Sequence, residues 1–209
     1  GAWGIHASLL PKYAGGAPLT WAIINGEKKT GITFFRFKDG VDDGDIIDQK
    51  SFVINYTDTV KDVYKKATMA SKKVLIKTLT NIRNVKFTPQ DKNKLEYYPQ
   101  RSPEDGLVNW NLTAENIYNF VRAQTLPYPC AFSKIYNEKV KIFDCNVYDL
   151  NNFNYKAGEV VKIRNKVLVA TKDKFIEIGE VDVKKKIYRF RDYVRIKNLW
   201  GKIFSNKKL

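Results

Sequence analysis

The chain has 209 residues, 44% of them hydrophobic, enough apolar material for one large or two small domains. No apolar run approaches the roughly 20 residues of a membrane-spanning helix, and the opening residues lack the pattern of a secretory signal. The formal charge of +15 comes from 37 basic residues, of which only 8 are Arg, so it fits a Lys-rich composition as well as a phosphate-binding surface.

In chain order, "GIHASLLPKYAGGAP" (residues 4 to 18) comes first and holds the only histidine, His6, together with a Leu-Leu-Pro turn and a Gly-Gly pair. "PLTWAIINGEKKTG" reads as a short helix that Pro18 starts and Asn25-Gly26 stops. "GITFFRFKDG" alternates with aromatic and β-branched residues and predicts a strand, and "VDDGDIIDQKSFVI" an acidic loop running into a second one. From Thr59 to about Asn84 apolar residues recur at helical spacing, with Asp58 as the predicted N-cap. "KFTPQDKNKLEYYPQRSPEDG" changes texture to Pro, Lys and polar residues and reads as a linker, placing a boundary near residue 100. A helix is predicted at about Thr113 to Ala123, then short strands split by Gly and Asn turns, a spacing that suggests a small β-barrel. From Lys184 to Leu209 ten basic residues stand against one acid, Asp192, interleaved with aromatics.

The chemistry-bearing residues are few. Cys130 and Cys145 give neither a disulfide framework nor metal-ligand spacing, and read as free thiols of a reducing cytoplasm. "NYT" and "NLT" match a glycosylation sequon, which means little without a secretory route. A strand ending at His6 and a loop carrying Asp42, Asp43 and Asp45 are joined by one helix and one strand, a crossover that brings both to one sheet edge. An imidazole and a carboxylate there can share a proton and hold a tautomer, the minimum for general acid–base work. Asp43 and Asp45 read as a solvated turn, and "DDGD" is too short for a calcium loop.

The stretch from "GIHASLLPKYAGGAP" through "INGEKKTGITFF" to "DGVDDGDII" resembles the core of the 10-formyltetrahydrofolate-dependent formyltransferases. Their pattern runs Asn-x-His-x-Ser-Leu-Leu-Pro, x-Tyr-x-Gly-x-x-Pro, Gly-Glu-x-x-Thr-Gly and Asp-x-Gly-x-Ile. Residues 103 to 183, notably "PEDGLVNWNLTAENIYNFVRAQTLPYPCAF", resemble the family's C-terminal barrel. The resemblance implies a Rossmann-like α/β catalytic core, present only in its C-terminal part (1–100), a small β-barrel (101–183) and a basic aromatic tail (184–209). It implies that His6 and Asp42 are catalytic, that Ser8, Pro11 and Gly15 shape the loop admitting the acceptor amine, and that Asp39, Gly40 and Val41 lie beside the folate. In such a reaction an amine attacks the formyl carbon, an oxyanion develops and a proton leaves nitrogen. The co-substrate implied is 10-formyltetrahydrofolate, with no metal.

Two departures stand out. The family asparagine two residues before the histidine is Gly4 here, and glycine has no side-chain donor. The family's first half is absent: the chain begins without Met, and a parallel strand ending at His6 would lack neighbours, so the expectation is a fragment inactive alone.

The preferred acceptor is a nucleotide-linked amino sugar for surface polysaccharide, because "PLTWAIINGE" followed by "GITFF" looks more like the sugar enzymes. Ala14 also stands where the tRNA enzymes typically carry arginine. The alternatives are a methionyl-tRNA formyltransferase and a non-catalytic remnant acting as a binding module. For the tail the readings are a solvated arm or homodimer-forming hairpin, phosphate contacts on tRNA, a nucleotide-sugar surface, and docking to an anionic membrane through Trp200, Ile203 and Phe204. The expected location is the cytoplasm or the inner membrane face.

Overall fold

The computed structural model describes residues 1–136 and 138–205. Asn137 and the last four residues of the basic tail lie outside the described residues. The chain forms two compact units, Gly1–Arg101 and Ser102–Leu209.

The first unit is built on a three-stranded antiparallel sheet of β1 (Trp3–His6), β3 (Lys29–Arg36) and β4 (Ile46–Val53), in the order β1-β3-β4. The expected parallel strand is thus corrected: β1 runs antiparallel to β3, with Trp3 opposite Arg36 and His6 opposite Thr33. An antiparallel partner supplies β1's backbone hydrogen bonds on that side without any parallel neighbour. The six central residues of β3 are buried, as expected of the middle strand of three.

Helix α1 (Pro18–Ile24) carries Pro in its first turn, where the missing N–H is no loss, and buries Leu19, Ala22 and Ile23. Helix α2 (Val60–Thr80) packs on β3 and β4 through Val60, Val63, Ala67, Ala70 and Val74. Its N-cap is Thr59, one residue after the expected Asp58, because Thr59 and Asp62 close a reciprocal capping box. Asp58 instead accepts from Asn55 N at 2.7 Å and pairs with Lys66.

Two short strands, β2 (Ala14–Gly15) and β5 (Tyr97–Tyr98), pair in parallel. They tie residues 88–100 back onto the unit. The Pro- and Lys-rich stretch expected as a linker is therefore stitched down over much of its length.

The second unit places β6 (Ala131–Ile135), β7 (Glu138–Ile142), β12 (Glu180–Val183) and β13 (Lys186–Arg189) in one four-stranded sheet, ordered β13-β12-β7-β6. A second sheet takes β8 (Cys145–Tyr148), β9 (Val160–Ile163), β10 (Lys166–Ala170) and β11 (Phe175–Ile178) in the order β8-β11-β10-β9. The expected barrel is therefore not closed: the eight strands form two sheets around an apolar core. Helices α3 (Ala114–Arg122) and α4 (Phe190–Lys197) add Ile117, Val121, Phe190 and Val194 to that core, beside the fully buried Trp110.

Much of the segment expected as a free basic tail is packed here. Phe190, Tyr193, Leu199 and Phe204 are buried, with Phe204 stacked on Trp110 at 5.5 Å between ring centres. Phe204 is therefore not available to a membrane surface, which removes one of the three expected anchors. Lys184 and Lys197 pair with Glu138 at 2.9 and 3.5 Å. Hydrogen bonds from Lys184 and Tyr193 hold the Glu138 carboxyl down at about 2.

Residues 203–205 bridge the free edges of both sheets, Ser205 pairing with Lys134 at the β6 edge and Ile203 with Glu159 beside β9.

Candidate active site

His6 ends β1 and is buried, 8% exposed. Its ring lies between two oxygen acceptors. Nε2 is 2.7 Å from the Tyr13 carbonyl oxygen and Nδ1 is 3.3 Å from Asp42 Oδ2. A neutral imidazole can donate to one of these oxygens, whereas the protonated ring donates to both.

The loop after β1 is shaped by backbone and hydroxyl contacts. Ser8 is fully buried and donates to the Lys12 carbonyl at 2.7 Å, so its hydroxyl is used within the loop. Thr33, opposite His6 on β3, uses its hydroxyl completely: it donates to Ser8 O and accepts from Leu10 N and Gln49 Nε2. Pro11 follows a cis peptide bond. Tyr13 has φ +57°, which carries the chain back under the imidazole. Its phenol donates to Glu27 and stacks on Tyr98 at 4.7 Å. Burial pushes that phenol well above the ordinary tyrosine range, so it stays protonated.

Gly15 has a definite task. Its N–H donates to Asp42 Oδ2 at 2.8 Å, the same oxygen that faces His6. With φ +88° and the Tyr98 carbonyl oxygen 2.6 Å from where a Cβ would stand, the position admits only glycine without strain.

Asp42 sits in the turn between β3 and β4 at φ +52°, a left-handed conformation that costs a non-glycine residue energy unless its surroundings hold it. The structure thus brings together His6, Asp42 and Gly15. Asp39, Gly40 and Val41 form the exposed tip of the same loop, with Val41 61% exposed. Asp43 and Asp45 are not the solvated turn expected. Their side chains are largely buried and pair with Lys92 at 3.2 Å and Lys38 at 2.6 Å. Among the described residues no group of three or more His, Cys, Asp or Glu is arranged to hold a metal ion.

Gly4 shares the His6 face of β1, two residues back. Phe37 fills the space beside it: a Cβ on Gly4 would lie 2.2 Å from Phe37 Cζ. The ring is 53% exposed, which leaves it room to rotate. Phe37, Thr33 and Gln90, which bonds the Asp42 turn, shape this site without any signal in residue type, whereas Tyr13 stands at the tyrosine of the family pattern. Tyr13 acts on the imidazole through its carbonyl, which every residue has, and Gln90 lies in the stretch read as a linker.

Comparison with known proteins identifies the family. A family model described as "Formyl transferase" matches residues 1–79, and one described as "Formyl transferase, C-terminal domain" matches residues 101–198. The chain is 40% identical over 180 residues to the bifunctional polymyxin resistance protein ArnA of Wigglesworthia glossinidia brevipalpis, covering 85% of this chain and 27% of that protein. It is 36% identical over 192 residues to the methionyl-tRNA formyltransferase of Thermodesulfovibrio yellowstonii, covering 91% of this chain and 61% of that protein. Among solved structures, WlaRD, a sugar 3N-formyl transferase crystallised in the presence of dTDP and 5-N-formyl-THF, superposes with a TM-score of 0.66 at 25% identity over 88% of this chain and 65% of that one. The chain therefore spans between about a quarter and two thirds of the length of these relatives. With models for both parts of the enzyme matched in order along it, the chain belongs to the formyl transferase family.

Proposed function

We propose that the protein carrying this chain transfers a formyl group from a folate-type donor to the amino group of a nucleotide-linked amino sugar. One observation carries the reading: a buried imidazole and a partly buried carboxylate 3.3 Å apart, with the carboxylate also held by the Gly15 N–H.

The chemistry suits those groups. Asp42 accepts the proton that leaves the attacking nitrogen, a contribution of roughly 10²–10⁴ in rate for a well-placed base. The His6 Nε2–H is the donor that an incoming carbonyl oxygen would share with the Tyr13 carbonyl. A preorganised donor of this kind is typically worth about 2.7–4 kcal/mol as negative charge develops. The folate donor supplies the activated formyl group: as the new C–N bond forms, the bond from the formyl carbon to the donor nitrogen would break, and that nitrogen would leave with a proton. The residues present fit a flat, partly apolar molecule, with the exposed Phe37 ring and Val41 flanking the acidic loop. Gly4 provides no amide, so polarisation of the formyl oxygen falls to His6.

The sugar acceptor is supported by the likeness to WlaRD and by Ala14 in place of a loop arginine. Methionyl-tRNA is the second reading, favoured by relatives of that name at 35–36% identity. In the second unit a cavity of about 530 Å³ is lined by Lys166, Arg189 and Arg191 but also by Glu177 and Glu180, with Lys166 paired to Glu177 at 2.5 Å, so it leaves Arg189 and Arg191 as the groups that could meet a phosphate.

The complete protein, supplied with a formyl-folate donor, separates the readings. Product with a nucleotide-linked amino sugar and none with methionyl-tRNA supports the proposal; the converse overturns the sugar acceptor. No product with either acceptor favours the remnant.

A further inference from the structure

We propose that Gln90 is a positioning residue that sets Asp42 against His6. Both carboxamide hydrogens of Gln90 are used on the Asp42 turn: Nε2 donates to the Asp42 carbonyl at 2.8 Å and to the Gly44 carbonyl at 2.7 Å. The orientation of the amide follows from its partners, since a flipped group would set Oε1 against two carbonyl oxygens. This one side chain spans the residue at φ +52° and the residue two beyond it, and so holds the left-handed turn from which the carboxylate reaches the imidazole. A conformation of that kind persists only where neighbouring contacts over-determine it.

The stretch around Gln90 reinforces the arrangement from both sides. Thr88 and Ile46 exchange backbone hydrogen bonds, both at 2.8 Å, and Lys92 pairs with Asp43 at 3.2 Å. Further along, Glu96 N donates to Pro11 O at 3.1 Å and Ala14 N to Glu96 O at 2.8 Å, while Gly16 N donates to Tyr98 O at 2.8 Å. One strap therefore grips the turn that carries Asp42 and the loop that carries Tyr13 and Gly15, the two other groups touching the His6–Asp42 pair. This strap lies in the gap between the two matched family models, which end at residue 79 and resume at residue 101. Within it Gln90 is the residue whose side chain bonds the Asp42 backbone itself.

Because His6 is the only histidine in the chain, its ring nitrogens give a unique ¹⁵N signal that reports the Asp42 contact without any assay of activity. The test compares that signal in the 209-residue chain for the wild type, Gln90→Met, Asp42→Asn and Lys94→Met. Gln90→Met keeps the length and removes both donors, and it should move the Nδ1 signal toward that of Asp42→Asn, with the unfolding midpoint left near the wild type's. Lys94→Met, which removes a pairing made within the strap, with Asp91 at 3.1 Å, should leave the signal in place. An unmoved signal in Gln90→Met, or an equal movement in Lys94→Met, overturns the proposal. Should Gln90→Met fail to fold, Gln90→Asn, which keeps the donors on a shorter arm, decides by the same criterion.

A second arm rests on the formyl-transfer reading. In the complete protein Gln90→Met should lower kcat by about tenfold to 10²-fold with KM for the amine acceptor unchanged, since misplacing a catalytic group costs rate before binding. A changed KM at constant kcat overturns the positioning role. A wild type without formyl transfer counts against the function alone, and the ring signal still decides for or against Gln90.

Discussion

Two stretches build the neighbourhood of His6, and they could hardly differ more as sequences. Residues 4–18 are dense in special residues, with one histidine, two prolines and a run of glycines. Residues 88–100 hold two prolines and a Tyr-Tyr pair among mostly polar residues and match no catalytic pattern, yet their backbone bonds Pro11, Ala14 and Gly16, and the Gln90 side chain holds the turn of Asp42. The difference is in which atoms act. The first stretch works through side chains and special backbone angles, which leave a mark in residue type. The second works mostly through peptide groups, which leave none.

The largest effect should come from the histidine of the first stretch and the carboxylate that faces it. In the complete protein His6→Ala or Asp42→Asn should lower the rate of formyl transfer by about 10²–10⁴, measured as initial rates at saturating donor. A variant of either kind with wild-type rates would show that the pair is structural only.

The seam between the two stretches comes next. A Cβ on Gly16 would stand 2.4 Å from the Cα and N of Gln100, backbone atoms that cannot rotate aside. Gly16→Ala should therefore cost about 1–3 kcal/mol, read from the midpoint and slope of urea unfolding. A neutral result would mean that the strap lifts off easily and contributes little.

A smaller effect is expected at Gly4, where the obstacle is the end of a half-exposed ring. Gly4→Asn should leave stability within about 0.5 kcal/mol because Phe37 can swing outward. The same change restores an amide donor beside His6, so the transfer rate should rise; a fall would show that the Phe37 ring itself is needed where it lies.

The smallest effect belongs to Asp91, which caps a short turn of the strap by accepting from Asn93 N at 3.1 Å. The hydrogen bond from Lys94, then that from Asn93, hold this exposed carboxyl below its ordinary value of 3.8. A lowered folded-state value means the contribution is complete above the ordinary value and fades as pH falls through the lowered one. Asp91→Asn should lower stability slightly at neutral pH, where the contribution is complete, and flatten its pH dependence in that acidic window so that the two proteins converge there, with salt weakening the difference further.

Much of the fold could be read from pattern. Pro18 and Asn25-Gly26 bracket α1, and the apolar spacing behind Thr59 marks α2. The stretch "GEVVKIRNKVLVAT" reads as one strand, but the left-handed turn at Arg164 and Asn165 divides it into β9 and β10. Strand direction was not legible, because a half-buried strand such as β1 alternates in the same way whichever way its neighbour runs. The pairing of Asp43 with Lys92 was equally hidden. The partners are far apart in sequence, and Asp in an Asp-Gly loop is most simply solvated.

The bridge that residues 203–205 make across both sheets of the second unit has a consequence for synthesis. Chains emerge N-terminus first, and all eight strands of this unit's two sheets precede the segment that joins the β6 edge to the β9 side. Until Ser205 has left the ribosome, both edges stand open with unpaired peptide groups, the kind of template on which neighbouring nascent chains associate. The interval between the last strand and the last bridge is therefore the period in which this unit most needs a chaperone.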